Sequence, residues 1–296
     1  MLAREQIESS FKELQGTICD KIAACDGISS FQSDLWQRPG GGGGDSRVIT
    51  NGQILEKGGV NFSAVYGETP QKILDALGLP EAKFYATGVS IVMHPVNPHV
   101  PIIHMNVRYF EMDTGHWWFG GGIDLTPHYI VPEDARHFHR LLKEVCDRHG
   151  ENYYDRFKKW ADDYFFLKHR NETRGVGGIF FDRLSENKEA DFKFVMDVGN
   201  TFVPAYTHLM NKYRDSPCTE NEKHWQSIRR GRYVEFNLVW DKGTKFGLDT
   251  NGRTESILMS MPPHAEWEYN YQPATGSKEA NTLEWLKKDI DWVNAN

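Results

Sequence analysis

The chain has 296 residues, a composition typical of globular proteins and a formal net charge of -7, so it can bury one large core or two smaller ones. The acidic balance and the lack of a basic stripe argue against a nucleic-acid-binding protein. No apolar run approaches the ~18 residues that a membrane span requires, and the N-terminus resembles neither a signal peptide nor an Arg-rich transit peptide. We therefore expect a cytoplasmic protein.

The aromatic and cysteine contents narrow the class of protein further. The chain has 9 Trp, 12 Tyr and 17 Phe, which suits a pocket or an interface with flat surfaces. The four cysteines show no C-x-x-C spacing, which argues against a zinc site and a disulfide frame and favours a reducing compartment. Free thiols are expected at Cys19, Cys25, Cys146 and Cys218.

The N-terminal part of the chain predicts one long helix followed by short strands. Apolar side chains recur at helical spacing over residues 2–25. The five glycines at 40–44 could form a flexible linker or a mobile loop whose backbone amides meet an anion, and the sequence leaves both open. Asn51 and Gly52 form a hairpin signature. Strands are predicted at 48–50, 53–56 and 60–66, and a short helix at 69–77.

Residues 86–127 contain three extended runs whose polar side chains do not suit ordinary core strands. In a strand, alternate side chains share a face, so His104, Asn106 and Arg108 point one way and the apolar residues between them point the other. One face of this strand is therefore apolar. The other face presents an imidazole, an amide and a guanidinium in a row.

The neighbouring runs add polar groups of the same kind. Ser90 and His94 share one parity in the preceding run, and Asp124 follows the glycines at 120–122 in the next run. A solvated face is the simpler interpretation of each residue alone, but such faces are usually filled with Lys, Glu and Thr. Together the residues predict the floor of a pocket for a large, flat, anionic ligand, with Arg108 as the bidentate partner of a carboxylate.

The rest of the chain predicts a mainly helical region. A helix C-terminus would explain the cations at 168–170, but it explains Arg174 less well. A kink or interruption is expected at Pro204. Helices are predicted at 132–149, 152–168, 188–211, 220–230 and 282–293. Strands are predicted at 176–182, 233–240 and 256–261.

The order of these elements predicts one α+β domain over residues 1–296. The strands come in hairpin-like groups with helices between them, unlike the alternating units of a parallel βαβ fold. No linker or internal repeat divides the chain. We expect a large antiparallel sheet with helices on both faces.

Long motifs indicate a family. They are WWFGGG at 117–122, KW at 159–160, HRNETRG at 169–175, GGIFFD at 177–182 and RRGRYVEFN at 229–237. With these motifs the chain resembles the oxygen-dependent coproporphyrinogen III oxidases, the aerobic enzymes of haem biosynthesis, over nearly its whole length. One position departs from the pattern, because Ala161 lies where the family usually has cysteine, so a catalytic role for that thiol is not expected.

The resemblance implies a fold, a reaction and a partner. It implies a homodimer built on a flat antiparallel sheet between two layers of helices, with dimer surfaces near 47–54 and 233–269. It implies oxidative decarboxylation of two propionates of coproporphyrinogen III to vinyl groups, giving protoporphyrinogen IX, CO2 and H2O2, with O2 as co-substrate. No flavin, haem or nicotinamide motif is visible, and no cofactor is expected.

The resemblance also implies site residues. His104 matches the proposed proton donor of the family, and Asp124 matches the carboxylate thought to engage the pyrrole nitrogens. Arg108 is the third expected catalytic residue. An ionised pyrrole could react with O2 directly, and the substrate peroxide could then remove the β-proton of the propionate. The residues that match the family's substrate site are Ser90, His104, Asn106, Val107, Arg108, Gly252 and Arg253. Because a substrate with four carboxylates needs several arginines, Arg174, or in its place Arg170, is expected to bind substrate as well.

Three alternatives remain. A divalent metal has been proposed in bacterial relatives at the positions of His94, His104, His139 and His169, but these lie far apart in the sequence, and a required metal is not favoured. A carrier of tetrapyrroles or other organic anions would use the same pocket without turnover. A His-ligated iron oxygenase would lose its activity when the metal is removed.

Overall fold

A seven-stranded antiparallel sheet forms the centre of the molecule. The computed structural model describes residues 2–71, 74–75, 78–249 and 252–295. The strand order is β1-β2-β3-β4-β5-β6-β9, and β7 and β8 form a separate two-stranded ribbon. The strands are β1 (Gln32–Gln37), β2 (Gly42–Thr50), β3 (Leu55–Glu68), β4 (Lys83–Pro95), β5 (Ile102–Met112), β6 (Trp117–Thr126), β7 (Phe166–Leu167), β8 (Glu172–Thr173) and β9 (Gly177–Leu184).

Helices lie on both sides of this sheet. They are α1 (Arg4–Asp26), α2 (Pro132–Asp147), α3 (Tyr153–Tyr164), α4 (Lys188–Tyr213), α5 (Glu220–Glu235), a π-helix (Phe236–Trp240), α6 (Lys242–Asp249), α7 (Thr254–Leu258) and α8 (Lys278–Trp285).

Strand β5 shows why the sheet has two unlike faces. Met105, Val107 and Tyr109 are fully buried, and the alternate residues His104 and Asn106 are partly exposed. The buried set packs against α1, α2 and α4 in the main hydrophobic core. Each large side chain buried there contributes about 1.5–3 kcal/mol, so a one-residue slip of the strand is strongly disfavoured. The opposite face is called the polar face below.

A second helical layer covers part of the polar face. Tyr233 of α5 packs on Val92 and Ile102. Met259, which follows α7, lies so close to Gly59 that a Cβ there would be 2.7 Å from its sulfur. The predicted α+β fold, an antiparallel sheet between two layers of helices, is therefore confirmed.

Several predicted elements agree closely with the structure. Helices α1, α2 and α4 differ from their predicted ranges by two residues or fewer at each end, and α4 continues through Pro204. Strand β9 matches the predicted strand at 176–182. All four cysteines are free thiols. Among the described residues, none of the helices has the length and apolarity of a membrane span.

The glycines at 40–44 are neither a linker nor a mobile loop, so both interpretations are wrong. The first two lie in the turn between β1 and β2, and the last three begin β2, which is paired on both sides. A Cβ on Gly43 would be 2.2 Å from the carbonyl oxygen of Trp36. The backbones approach too closely at this point for side chains.

Two predicted strands near the C-terminus are helical instead. Residues 233–240 end α5 and form the π-helix, and residues 256–261 overlap α7 and the turn after it. Aromatic and β-branched residues favour a strand by composition. However, Thr219 and Glu222 form a capping box that starts α5, and the helix continues through Gly231 into this run, where no proline ends it.

Three predicted helices have other bounds, and one of them, predicted at 220–230, extends to Glu235. The C-terminal helix, predicted at 282–293, begins earlier and ends at Trp285, because the chain turns away at Leu286 and again at Asp289, where φ is +65°. The helix predicted at 152–168 ends at Tyr164, and β7 begins shortly after it, at Phe166. The helix predicted at 69–77 lies partly outside the described residues.

Because the imidazole of His139 is buried, we predict that the free energy of unfolding depends on pH. The imidazole is fully buried between Tyr154 and the Val176 carbonyl, and burial lowers its pKa to about 3 from an ordinary 6.5. The unfolded chain therefore binds more protons below pH 6.5, and the contribution of His139 to stability is lost as the pH falls towards 3. At pH 5.5 the loss is about 1.4 kcal/mol.

Urea unfolding at pH 7.5 and 5.5 measures this loss. His139→Gln should reduce the stability difference between the two pH values by about 1.4 kcal/mol relative to the wild type. His264→Gln is the control, because the side chain of His264 is 79% exposed. An equal pH difference in wild type and His139→Gln would contradict the assignment.

Candidate active site on the polar face

A continuous polar row crosses the polar face. Residues directly opposite each other in an antiparallel pair share a face. The members of the row, one on each of β2 to β6, are Ser46, Asn61, Ser90, Asn106 and Gly122. With strands about 4.8 Å apart, the row spans about 19 Å. Its small side chains leave a low surface on which a large, flat molecule can lie.

Arg108 lies in the next cross-strand row, and its partners there are both glycines, Gly88 on β4 and Gly120 on β6. The surface of the sheet around Arg108 is therefore free of large side chains. A Cβ on Gly120 would be 2.4 Å from an oxygen of Asp182 and 2.9 Å from Nε of Arg108. The Arg108 side chain therefore lies across Gly120, close to the surface of the sheet.

Two neighbours fix the guanidinium of Arg108. One terminal nitrogen donates to Oδ1 of Asn106 at 2.9 Å, and the other donates to Oδ1 of Asp182 at 2.9 Å. The Arg108 side chain is 37% exposed and that of Asp182 is 31% exposed. The guanidinium is thus oriented by the protein and still accessible from solvent, as an anchor for a ligand carboxylate must be.

A buried ion pair lies on the same face. One terminal nitrogen of Arg174 donates to both oxygens of Asp124, at 2.8 and 2.7 Å. Asp124 is 1% exposed and Arg174 is 3% exposed. Nδ1 of His104 lies 2.7 Å from Oδ1 of the same carboxylate. Because an unpaired charge at this depth costs several kcal/mol, each ion requires the other.

The charges around Asp124 keep it ionised. Burial by itself raises the pKa of this carboxyl, but the charge of Arg174 and the hydrogen bond from His104 outweigh burial, and the net pKa lies below the ordinary value. Asp124 is therefore an acceptor at neutral pH, and the proton of a neutral His104 is on Nδ1. The lone pair of Nε2 then points away from Asp124, and the orientation of the His104 ring is fixed, as proton transfer by a histidine would require.

This geometry does not favour direct contact between Asp124 and a ligand. Both of its oxygens are held by Arg174, and the carboxylate is almost fully buried. His104 is partly exposed and lies on the path from Asp124 to the polar face. Any effect of this carboxylate on a ligand of the polar face would therefore pass through His104.

Arg174 is enclosed by aromatic rings and an amide. Its guanidinium carbon lies 4.4 Å from the ring centre of Phe165, 4.8 Å from that of Tyr233 and 4.6 Å from that of Phe236. Its other terminal nitrogen donates to Oδ1 of Asn237 at 2.8 Å. These contacts place Arg174 beneath the surface, where it supports Asp124 and does not lie open to a ligand.

Two of these partners were not found from the sequence. Asn237 lies in the π-helix, which the sequence predicts as a strand, and Asp182 lies within β9 where its pairing with β6 is irregular. Each is the last residue of a quoted motif, RRGRYVEFN or GGIFFD, so the motif ends were the signal that could have found them.

Arg253 lies at the other end of the polar row. Its terminal nitrogens donate to Ser46 at 3.4 Å, to Ser256 at 3.1 Å and to Asp34 at 2.5 Å. Ser46 is three strands away from β5, which is about 14 Å. Gly252 precedes Arg253 and donates to a carbonyl oxygen of α6. Arg108 and Arg253 are both partly exposed and lie far apart on the polar face.

Val107 is the one expected site residue on the opposite face. Its side chain is fully buried in the main core, so it cannot contact a ligand on the polar face. The expected residues that the polar face brings together are Ser90, His104, Asn106, Arg108, Gly252 and Arg253, with Asp124 and Arg174 beneath them.

The four histidines considered for a metal have separate partners. His94 and His139 are fully buried and donate to backbone carbonyl groups, and burial lowers the pKa of each to about 3. His169 lies between a carboxylate of α5 and an indole of the π-helix. Within the ranges that the structure describes, no three His, Cys, Asp or Glu side chains form a group that could hold a metal ion.

Comparison with known proteins agrees with the motifs. The family model described as "Coproporphyrinogen III oxidase" matches residues 6–292. The chain belongs to the coproporphyrinogen III oxidase family. Over 306 residues it is 47% identical to the "Oxygen-dependent coproporphyrinogen-III oxidase, chloroplastic" of Glycine max, with 98% of this chain and 80% of that protein covered.

Animal members of the coproporphyrinogen III oxidase family are equally similar. The chain is 48% identical over 308 residues to the oxygen-dependent coproporphyrinogen-III oxidase of Drosophila melanogaster, covering 98% of this chain and 78% of the relative. It is 50% identical over 305 residues to the mitochondrial enzyme of that name from Homo sapiens, covering 98% and 67%. The resemblance in the motifs is thereby confirmed.

The buried ion pair can be tested by removing one ion and then both. Arg174→Met leaves the Asp124 charge buried without its main partner, so the free energy of unfolding should fall by about 3–5 kcal/mol. Adding Asp124→Asn removes that charge, so the double variant should regain part of the loss. Urea unfolding measures both variants.

Lys143→Met is the control for this pair of variants, because it breaks an exposed ion pair with Asp147. Its cost should be at most about 1 kcal/mol. A cost that small for Arg174→Met, or a double variant less stable than the single one, would contradict the mutual dependence of the two ions.

Proposed function

We propose that this chain converts two propionates of coproporphyrinogen III to vinyl groups and so forms protoporphyrinogen IX. Its relatives carry the name of that activity. The observation that carries the proposal is the polar face, a low polar surface with an accessible arginine towards each end and the proton-transfer group His104 on it. This surface suits a large tetrapyrrole with carboxylates at its rim.

The atom balance defines what the protein must supply. Each propionate loses its carboxylate as CO2 and a hydrogen from its β-carbon, and a carbon–carbon double bond forms. O2 takes the two electrons and two protons and leaves as H2O2. Since the carboxylate is ionised, only one of these protons comes from the substrate, and the other comes from a proton donor in the site.

His104 is the proposed donor. In its neutral form, Nε2 can take a proton from a pyrrole nitrogen and leave an electron-rich ring that reacts with O2. In its cationic form it can return that proton to the ring nitrogen, and the second proton of H2O2 reaches the peroxide from water through His104. Arg108 holds the carboxylate of the reacting propionate, and Arg253 holds another, with Ser90, Asn106 and Gly252 beside them.

We also propose that this reaction requires no metal or organic cofactor, because O2 reacts with the activated substrate itself. The separate partners of the four histidines support this proposal. His94, His139 and His169 each have other hydrogen-bond partners, away from His104. An essential divalent metal remains the outcome that would contradict it.

A homodimer is proposed from the surface outside the site. Large apolar side chains are exposed over the region that the resemblance implies for the dimer, among them Leu238, Trp267 and Tyr269, the last 99% exposed. Strand β1 pairs with β2 alone among the described strands, so its other edge can accept a partner. Sedimentation equilibrium at micromolar concentration should give twice the mass of one chain.

Two expectations from the sequence are carried forward as proposals. One is that residues 1–296 form a single domain, which one cooperative unfolding transition would support. The other is a cytoplasmic location. The relatives from Glycine max and Homo sapiens are named chloroplastic and mitochondrial, so cell fractionation of the native protein is the deciding measurement.

The direct test of function uses chelator-stripped, metal-assayed protein. Given coproporphyrinogen III, the wild type should form vinyl product and CO2 with O2 and none without it. Turnover only after a divalent metal is restored would contradict the metal-free reaction. Tight binding without turnover, with or without metal, would indicate a carrier.

The same assay tests His104. His104→Asn keeps an N–H donor near Asp124 and removes Nε2, so kcat should fall by about 10²–10⁴ while substrate binding changes little. His116→Asn, in the exposed turn between β5 and β6, is the control. Wild-type kcat in a folded His104→Asn variant would contradict proton transfer by His104.

A further inference from the structure

Asp182 is a charged residue of the polar face that the proposed reaction does not use. Its carboxylate accepts a hydrogen bond from Arg108 at 2.9 Å and lies over Gly120. The pairing of β6 with β9 is irregular at this point, and Arg183 adopts a left-handed φ of +55°. Bulges of this kind re-aim side chains next to functional sites, and this one directs Asp182 towards Arg108.

The pairing removes the net charge of the anchor. An accessible guanidinium alone would attract any carboxylate, but Arg108 together with Asp182 is neutral. The same arrangement recurs at the other end of the polar row, where Asp34 of β1 pairs with Arg253. Both accessible arginines proposed to bind substrate therefore already have a carboxylate from the protein.

The geometry lets a second carboxylate join Arg108. A guanidinium has five N–H donors, and the structure uses one on each terminal nitrogen, for Asn106 and for Asp182. A propionate can bind to the remaining donors without displacing Asp182. It then lies near a like charge, which weakens its binding.

We infer that Asp182 is a specificity-determining residue that shares Arg108 with the substrate propionate and keeps Arg108 paired after the propionate has become a vinyl group. This inference rests on the proposed function. The substrate has a carboxylate where the product has an apolar group. An arginine without Asp182 would bind the substrate tightly and would be left unpaired beside the product, and a partly desolvated charge without a partner is costly.

The substitution Asp182→Asn isolates the charge, because the amide keeps an oxygen acceptor for Arg108. A non-reacting porphyrin with four carboxylates is the probe, titrated by fluorescence quenching. The variant should bind it about fivefold more tightly than the wild type at low ionic strength, and the gain should shrink at high salt. With coproporphyrinogen III, KM should fall and kcat should not rise.

Asp147→Asn is the matched control, since it removes an acidic partner of a cation on α2, away from the polar face. It should leave probe binding unchanged. Weaker or unchanged probe binding by a folded Asp182→Asn variant would overturn the inference, because a purely structural role of Asp182 predicts that result.

Arg108→Met separates this inference from the proposed function. Loss of the anchor should weaken probe binding at least about tenfold, as expected for a charge-assisted hydrogen bond. If Arg108→Met binds the probe as the wild type does, the proposed anchor role fails. If Arg108→Met binds weakly and Asp182→Asn does not bind more tightly, the inference alone fails.

Discussion

The ion pair between Asp124 and Arg174 is the interaction on which the polar face depends. It joins strand β6 to the chain just before β9, and through Asn237 it joins the sheet to the π-helix of the second layer. Neither ion can be buried alone at an acceptable free energy. The same carboxylate orients His104, so the group that stabilises the site also fixes the ring of the proposed proton donor.

One face of the sheet stabilises the fold, and the other carries the candidate site. On one face, large apolar side chains pack against α1, α2 and α4 and hold the strands in register. The other face is then free to carry small polar residues and glycines, which would weaken an isolated sheet but give a flat surface here. Arg253 and Arg108 on this face are paired with Asp34 and Asp182, so on our proposal the recognition of an anionic ligand depends on how these carboxylates share the cations.

A feature could be predicted from the sequence when it depends only on residues that are close together in the chain. The alternation of His104, Asn106 and Arg108 was predictable, because a period of two is a property of one strand. The assignment of 233–240 was wrong because composition favours a strand there, while in the structure Tyr233 packs on Val92 and Ile102 and Phe236 packs in a cluster with Phe165, contacts that are remote in the sequence. Partnerships such as Arg108 with Asp182 join residues far apart in the sequence, and no local pattern reveals them. The close packing of strands at Gly43 is equally non-local.

The most direct measurement for the central claim is an anaerobic crystal structure with a tetracarboxylate porphyrin bound. The ring should lie on the polar face over Ser90 and Asn106, with one carboxylate on Arg108 and Nε2 of His104 facing the ring. The apolar face offers a competing position, a cavity of about 310 Å³ lined by Gly43 and Tyr66 among others. A porphyrin bound in that cavity, with the polar face unoccupied, would contradict the account.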